Sequence, residues 1–457
     1  MSGGPGGLTV DGEALSRGRL ESLVRDVTGE LRGTGAGPGR GVALLDTHPL
    51  SLIITVLAAE RLGAPLLPGA PEWRTPAVTR AVVATVHPSG SGRPAVTAAA
   101  PGPQPPFPDE TRAVFWTSGS TGEPKAVALD GGALDYQAGA TRARLELEPG
   151  DRLLVPIPLN HAYGFSVLQM WARYGLDLHV QSRPGLGPVV MALKATPFAS
   201  LDGVPSLYGA LLLAARRDPE LRAALAGPKV RGCGGDLLPH RLAEDFLSAV
   251  GGPLHDGYGL TEAGPNVALT GPSHWRPGTV GPPLDGTRLR LDEQTGEVLV
   301  HGPGLMAGYL DDPDATARAV TGGWLRTGDL GRLSPDGYLT VLGRLKSAIV
   351  VHGVTYPPKL VEDALYDCEG VAEAVAVGIP SGDPRGDSVA AFVLVDPSAT
   401  APTEDTLLAA VRGSLPEPLR PASIRLMDAL PRTASGKADR RALRELASEA
   451  PAGVSGG

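Results

Sequence analysis

Cysteine, lysine and aromatic residues are all scarce in this chain, and each shortage narrows what it can be. Two cysteines, Cys233 and Cys368, cannot build a disulfide framework and do not by themselves make a zinc site, so a reducing compartment fits. Aromatics are 4% of the residues, against 62 Gly and 45 Pro, a balance that favours turns and small-residue loops over long helices. No basic run occurs and the net charge is −8, which disfavours nucleic acid or an anionic membrane as the main partner. The longest apolar stretch, Leu50–Leu67, is broken by Ser51, Thr55, Glu60 and Arg61 and reads as a buried helix, not a membrane span. The first dozen residues lack a basic stretch followed by an apolar core, so no signal peptide is expected and the cytoplasm is the expected location. Lysine is confined to Lys125, Lys194, Lys229, Lys346, Lys359 and Lys437, so each one merits a reason.

What is present is ordinary for a globular protein: 457 residues, 42% hydrophobic and 20% charged. That length exceeds what one hydrophobic core usually serves, and two or three domains are expected. Leu20, Leu23, Val24, Val27 and Leu31 recur at helical spacing over 17–32. Gly41–Leu45 reads as a short strand, Pro49 opens a helix to about Leu62 with Gly63 as its stop, and Pro65–Leu67 is a further strand. This alternation predicts a parallel sheet. The first turn, DTHPL, lacks the glycine fingerprint of a dinucleotide fold. Residues 88–110, rich in Pro, Gly and Ala, read as a surface linker. Strands and helices then alternate to about 290, and a strand-rich stretch reaches about 343. The last hundred residues read as an α+β unit, with strands at Ala348–Val351, Ala372–Val377 and Val389–Val395, helices at Pro358–Tyr366 and Glu404–Ser414, and a disordered tail PAGVSGG.

Between strands Val114–Thr117 and Ala126–Leu129 runs Ser118-Gly119-Ser120-Thr121-Gly122-Glu123-Pro124-Lys125. Bare glycines, hydroxyls and a lysine in a tight loop can surround a polyphosphate with N–H and O–H donors. Alone, such a loop is as readily a simple turn, and Ala126 after Lys125 excludes the Walker pattern.

The stretch WTSGSTGEPKAV resembles the signature loop of the adenylate-forming superfamily, which includes acyl-CoA synthetases, peptide-synthetase adenylation domains and firefly luciferase. Six further segments match that family's motifs in order: Pro156–Phe165, Cys233-Gly234-Gly235-Asp236, Gly257–Gly264 (GYGLTEAG), Gly323–Asp329 (GWLRTGD), Gly343–Lys346 (GRLK) and Pro431–Lys437 (PRTASGK). The resemblance covers about residues 8–445 and implies a large N-terminal region of stacked α/β subdomains with a β-rich subdomain over 1–343, a hinge at 344–347 and a small mobile α+β domain over 348–457.

It also implies roles. Thr117, Ser118, Gly119, Ser120, Thr121, Gly122 and Lys125 would hold the β- and γ-phosphates of ATP. Gly235, Asp236, Tyr258 and Gly259 would lie against adenine, Asp329 would accept the ribose hydroxyls and Arg344 would support the ribose or the hinge. Thr261 would bond the α-phosphate, Glu262 would ligate Mg2+, and Lys437 would be the lysine of the adenylation step. Lys346 would be the pivot about which the small domain turns, bringing the face around Gly353 to an incoming thiol. Outside this context an isolated Thr-Glu pair is a cap, a Tyr is core and a loop lysine is solvated. Three of the six lysines, however, fall on motif positions.

The acyl wall would comprise His161, Tyr163, Gly164, Phe165, Gly235, Gly264 and Pro265, aromatic and small residues suited to an aryl or medium-size acid. Peptide-synthetase domains place an Asp two residues before a Ser-Val pair to bind an α-amino group; Gly164 stands there before Ser166-Val167, which disfavours an α-amino acid. Ser347 and Leu360 replace acids frequent in the family, so the acceptor is open among coenzyme A, the phosphopantetheine of a separate acyl carrier protein, and an amine. No carrier domain follows, so a free-standing enzyme is expected, and a homodimer is left open. The alternatives are activation of another oxyanion and a non-catalytic nucleotide-binding relative. A small buried residue is the expected reading of Cys233.

Overall fold

The computed structural model describes residues 4–69, 82–88, 93–99, 107–108, 110–118, 124–183, 185–352, 354–380, 386–396, 399–432 and 438–448. Ser16 accepts a hydrogen bond from Arg19 N at 3.2 Å and so satisfies one of the free N–H groups that every helix start leaves. The helix that follows, Arg17–Gly33, buries Leu20, Leu23, Val24, Val27 and Leu31. The next helix, Pro49–Leu62, has its proline in the first turn, where no N–H is needed, and stops at Gly63 with φ 64°. A left-handed residue at that point is what glycine supplies without strain.

Two large sheets share these helices. An eight-stranded sheet runs in the order Asn266–Leu269, His255–Gly259, Val230–Cys233, Ser200–Gly203, Arg152–Val155, Asp177–Val180, Leu8–Val10, Glu13–Leu15, and is parallel from His255–Gly259 through to Leu8–Val10. A seven-stranded sheet runs Gly308–Tyr309, Pro124–Asp130, Thr111–Ser118, Leu66–Pro68, Gly41–Leu44, Val82–His87, Ala95–Ala98. One buried cluster takes Leu153, Val155, Leu178 and Val180 from the first sheet and Val42, Leu44, Val127 and Leu129 from the second. Between them it includes Val24, Ile53, Leu134, Phe165 and Trp171 of the intervening helices. Leu154 points the other way, into a cluster with Leu201, Tyr208, Leu211, Cys233 and Phe246. A strand segment buried on both faces has to be apolar throughout, which is why Leu153–Val155 reads LLV without alternation after the exposed Arg152.

A third, five-stranded sheet combines Arg288–Leu291, Glu297–His301, Val320–Thr321, Trp324–Leu333 and Leu339–Arg344. After the short turn Leu345–Ser347 the described strands pair only among themselves: Ile349–Val351 with Val354–Tyr356, and Val371–Pro380 with Asp387–Val395 and Ser423–Met427. Helices Lys359–Tyr366 and Glu404–Ser414 cover one face of the three-stranded sheet and helix Arg440–Ser448 the other. The molecule is therefore a large layered α/β part followed by a small α+β part. Among the described residues no helix is long and apolar enough to cross a membrane.

The linker expected over 88–110 is not structureless throughout. Ala95–Ala98 is an edge strand antiparallel to Val82–His87. Its side chains are mostly exposed, so no alternation of apolar and polar residues marks it; only its backbone pairing does. The tail 451–457 lies outside the described residues.

Arg144, at the end of helix Gly131–Arg144, is buried and donates to the carbonyls of Leu269 at 2.9 Å, Pro282 at 2.8 Å and Pro283 at 2.8 Å. It fixes the crossing from the eight-stranded sheet to the five-stranded one. Replacing it orphans three carbonyls, so Arg144→Met should lower unfolding free energy by about 3 kcal/mol, measured as the shift in denaturant midpoint.

Candidate functional site

The crevice beyond the carboxyl ends of a parallel sheet is where open α/β folds place ligands, and the sequence-predicted residues gather there. The hairpin of Thr111–Ser118 and Pro124–Asp130 pairs Thr117 with Lys125 and Ser118 with Pro124, so the hydroxyl and the ammonium stand opposite each other at its tip. Gly119, Ser120, Thr121 and Gly122, the side chain of Ser118, and likewise Gly353 and Lys437, lie outside the described residues.

Gly308–Tyr309 adds to this hairpin beside Val127 and Ala128. That pairing lays the Tyr309 ring under Lys125, whose Nζ is 4.7 Å from the ring centre. The Tyr309 hydroxyl in turn donates to Glu262 Oε1 at 3.0 Å. Burial and the adjacent carboxylate hold the Tyr309 phenol above its usual pKa, so it remains a donor. Tyr309 thus links the lysine of one motif to the acid of another. Its own position carried no sequence signal, because the link exists only through strand pairing.

Thr261 and Glu262 occupy a single 3-10 turn, Thr261–Ala263, closed by Gly264 at φ 85°. A Cβ on Gly264 would lie 2.6 Å from Gly304 O, so both conformation and space call for glycine. Gln137, buried in helix Gly131–Arg144, grips the turn from below. Its Nε2 donates to Ala263 O at 2.6 Å and Asn266 O at 2.8 Å, and its Oε1 accepts from Asn266 N at 3.2 Å. Gln137 is another residue that local pattern could not reveal, being more than a hundred residues from its partners.

Tyr258, next to last in the strand His255–Gly259, is buried; its hydroxyl donates to Asp329 Oδ2 at 2.8 Å. Asp329 pairs in register with Arg344, whose Nε meets Asp329 Oδ1 at 2.9 Å. Burial raises the Asp329 pKa and Arg344 works against that rise. Each oxygen of this carboxylate keeps a second acceptor direction. Gly235 takes φ 84° just past the strand Val230–Cys233, Asp236 is exposed beside it, and Gly259 leaves room where a Cβ would lie 1.9 Å from Pro265 O. Cys233 is 2% exposed and burial pushes its thiol well above the usual range, as an inert core residue requires.

The proposed acyl wall is built on the first turn of helix Ala162–Tyr174. His161 precedes it, exposed, with its pKa lowered because the surrounding protein partly desolvates the imidazolium. Tyr163 is half-buried and donates to Asp202 Oδ1 at 3.0 Å. Gly164 faces the preceding turn, where a Cβ would meet Pro158 O at 2.2 Å. Phe165 is buried and sits edge-on to Phe115, ring centres 5.1 Å apart; with Gly264 and Pro265 it lines a crevice too narrow for water.

Lys346 is exposed in the turn Leu345–Ser347. Across the junction, Arg241 Nη1 donates to Tyr366 O at 3.2 Å, and Lys359 is close enough to Asp256 to oppose the rise of its pKa. Among the described residues no group of three His, Cys, Asp or Glu side chains could hold a metal.

Comparison with known proteins agrees with the geometry. The family model for AMP-binding enzyme matches residues 77–310, and that for the AMP-binding enzyme C-terminal domain matches residues 360–437. The chain is 32% identical to a feruloyl-CoA synthase from Amycolatopsis sp over 93% of this chain and 92% of that one. It resembles the structure of the amide bond synthetase McbA from Marinactinospora thermotolerans with TM-score 0.82, 26% identity and 97% of each chain covered. For ATP-bound MatB from Rhodopseudomonas palustris the TM-score is 0.83 at 24% identity, with 98% and 97% covered.

Gln137→Leu would keep the volume and delete one bond to the Thr261–Ala263 turn and two to Asn266, which follows it. It should cost about 2–3 kcal/mol, read by thermal unfolding, and Gln137→Glu should cost at least as much, since a carboxylate can still accept from Asn266 N but sets its other oxygen against the carbonyls of Ala263 and Asn266.

Proposed function

Because the chain belongs to the AMP-binding enzyme family, we propose that it activates a carboxylic acid with ATP and passes the acyl group to a thiol, that of coenzyme A or of a carrier-protein phosphopantetheine. The acid is an aryl or medium-size acyl acid, and the reaction runs in the cytoplasm. The observation that carries this reading is the convergence of Tyr258, Asp329 and Arg344 beside the Thr261–Glu262 turn and the Thr117–Lys125 hairpin.

A carboxylate is a poor electrophile: its charge repels nucleophiles and oxide is not a viable leaving group. In the first step a carboxylate oxygen attacks the α-phosphorus of ATP, the bond to the β-phosphate oxygen breaks, and pyrophosphate departs. In the second, the thiol sulfur attacks the acyl carbon, its proton is lost and AMP leaves. Both steps demand placement of anions and stabilisation of shifting negative charge. Asp329 accepts the ribose hydroxyls with its remaining lone pairs, and Tyr258 flanks adenine together with Gly235, Asp236 and Gly259. Thr117, Ser118, Gly119, Ser120, Thr121, Gly122 and Lys125 take the β- and γ-phosphates, and Thr261 the α-phosphate. Lys437 neutralises charge between the carboxylate and the α-phosphate.

Glu262 suits Mg2+. One of its oxygens is held by Tyr309, the other is left to a cation, and a hard cation that enters with phosphates needs only one or two protein carboxylates. When bound, the ion would neutralise phosphate charge; Glu262 would hold it, and Tyr309 orients Glu262. His161 gates the passage between nucleotide and acyl group. The small domain turns about Lys346 between the two steps, removing Lys437 and presenting the Gly353 face to the thiol.

The feruloyl-CoA synthase relative supports coenzyme A as acceptor and an aryl acid as donor. The amide bond synthetase structure supports a second reading, in which an amine takes the acyl group. Ser347 and Leu360, the latter exposed next to the hairpin Ile349–Tyr356, are the departures that keep it open.

The deciding measurement is acid-dependent pyrophosphate release from Mg-ATP across aryl and aliphatic acids, with coenzyme A, an amine, or neither. Stimulation of AMP release by coenzyme A is the expected result; stimulation by the amine alone selects the second reading, and no release with any acid refutes adenylation. Lys437→Ala should abolish acyl-adenylate formation, by about three orders of magnitude for loss of a charge-stabilising group. It should still form thioester from synthetic acyl-AMP; loss of both partial reactions would refute the role given to Lys437.

A further inference from the structure

The acid proposed to meet the ribose is carried on a bulge, and a second buried acid holds that bulge. Strand Glu297–His301 pairs with Trp324–Leu333, Glu297 opposite Leu330 and Leu299 opposite Arg326. Thr327, Gly328 and Asp329 therefore stand against the single residue Val298. Such a bulge re-aims side chains and leaves backbone groups without ladder partners. Side chains supply the missing bonds here. Thr327 Oγ1 donates to Val298 O at 2.7 Å and accepts from Asp329 N at 3.1 Å. Gly328, at φ 70°, donates its N–H to Glu297 Oε1 at 2.8 Å.

Glu297 is 3% exposed, and a carboxylate that deep is stable only where its lone pairs are served. Its Oε2 meets the guanidinium of Arg326, an exposed side chain that also reaches Asp292 Oδ2 at 3.4 Å. Arg326 thus balances the charge, and Oε1 is left to the bulge. The charge of Glu297 does Asp329 no service. Burial is the main cause that raises the Asp329 pKa; the charges of Glu262 and Glu297 add to the rise, and Arg344 opposes it. The favourable contribution of Glu297 is therefore geometric: it bonds the residue before Asp329 and sets the backbone from which that carboxylate projects. Tyr258 and Arg344 hold the carboxylate itself.

We propose that Glu297 is a positioning residue for nucleotide selection. By holding Gly328 N it fixes the 327–329 bulge, so that Asp329 meets the ribose hydroxyls and the enzyme prefers ATP to its deoxy analogues. The reach of Glu297 matters for this and its charge does not. The proposal rests on the reading of Asp329 as the ribose acceptor.

The test is calorimetric titration of the whole chain with Mg-ATP, Mg-2′-deoxyATP and Mg-3′-deoxyATP, without acid or acceptor. The wild type should bind ATP about tenfold or more tighter than the weaker deoxy analogue, as a hydrogen bond to a charged group provides. Glu297→Asp keeps the charge and withdraws the carboxylate by one methylene; it should bring the ratio near one, mainly by weakening ATP. Glu297→Gln keeps the reach and an acceptor for Gly328 N while Arg326 turns to Asp292; it should retain most of the ratio. The reverse order, Glu297→Asp keeping the ratio and Glu297→Gln losing it, makes the role electrostatic and overturns the proposal. Equal weakening of all three nucleotides in Glu297→Asp marks a merely structural residue and overturns it too. Where Glu297→Asp does not fold, Gly328→Ala takes its place: the added Cβ meets nothing within 4 Å but disfavours the left-handed backbone. The same loss of ratio is expected there, and an unmoved ratio overturns the proposal. Asp329→Ala separates the two readings. If it abolishes the ratio and Glu297→Asp does not, this proposal alone falls. If it leaves the ratio intact, or if the wild type shows no ratio or binds no ATP, the ribose reading falls and this proposal with it.

Discussion

The Asp329 carboxylate is the point on which the site's geometry depends. It takes a proton donor from each side: the Tyr258 hydroxyl, from the end of a strand in the eight-stranded sheet, and Arg344 Nε, from the last strand of the five-stranded sheet. A buried carboxylate of this kind is stable only when its lone pairs are served, so the two sheets cannot slide past each other without exposing an unpaired charge. The segment that carries it is itself pinned. Thr327 Oγ1 donates to Val298 O at 2.7 Å, and Gly328 N donates to Glu297 Oε1 at 2.8 Å. Arg344 also stands one residue before the Leu345–Ser347 turn that leads to the small domain. The carboxylate proposed to meet the ribose is thus bonded to the last residue of the five-stranded sheet before that turn.

Local sequence was enough for most elements, and the motif positions it singled out are those for which roles are proposed. Helices Arg17–Gly33 and Pro49–Leu62 declare themselves through apolar spacing, a serine cap, a first-turn proline and a terminal glycine, all of which act within a few residues. The glycines at 235 and 264 occupy left-handed conformations that no other residue adopts cheaply. The motif reading of Thr117 with Lys125 corresponds to a hairpin in which the two are paired. The domain limits and the residue roles rest on resemblance.

What sequence could not disclose is every contact made across long chain separations. Gln137 reads as one polar position on a helix, Tyr309 as an aromatic in a loop and Asp202 as an acid in an apolar strand. Each acquires meaning from a partner 39 to 129 residues away. No period or spacing encodes such pairs, because they are fixed by which strands become neighbours. Ala95–Ala98 was hidden for a related reason: an exposed edge strand needs only backbone pairing, and its side chains are under no constraint to alternate.

Three buried or half-buried acids on strands show how differently one problem can be met. Asp329 has a guanidinium, Asp202 has two hydroxyls, and Asp256, raised to about 7 by burial, has the Gly257 N–H and the field of Lys359 from the small part of the chain. The guanidinium opposes the cost of burying Asp329, although burial still leaves its pKa raised. Hydroxyls compensate less, so the carboxylate they serve remains a strong acceptor and polarises what donates to it. Compensation by Lys359 depends on how the small part is seated, because the lysine and the acid belong to different sheets' surroundings. The graded strength of these solutions follows the graded need for rigidity: firm where two sheets must stay in register, local where only one sheet and the helix beside it are joined, and conditional where one part of the chain meets the other.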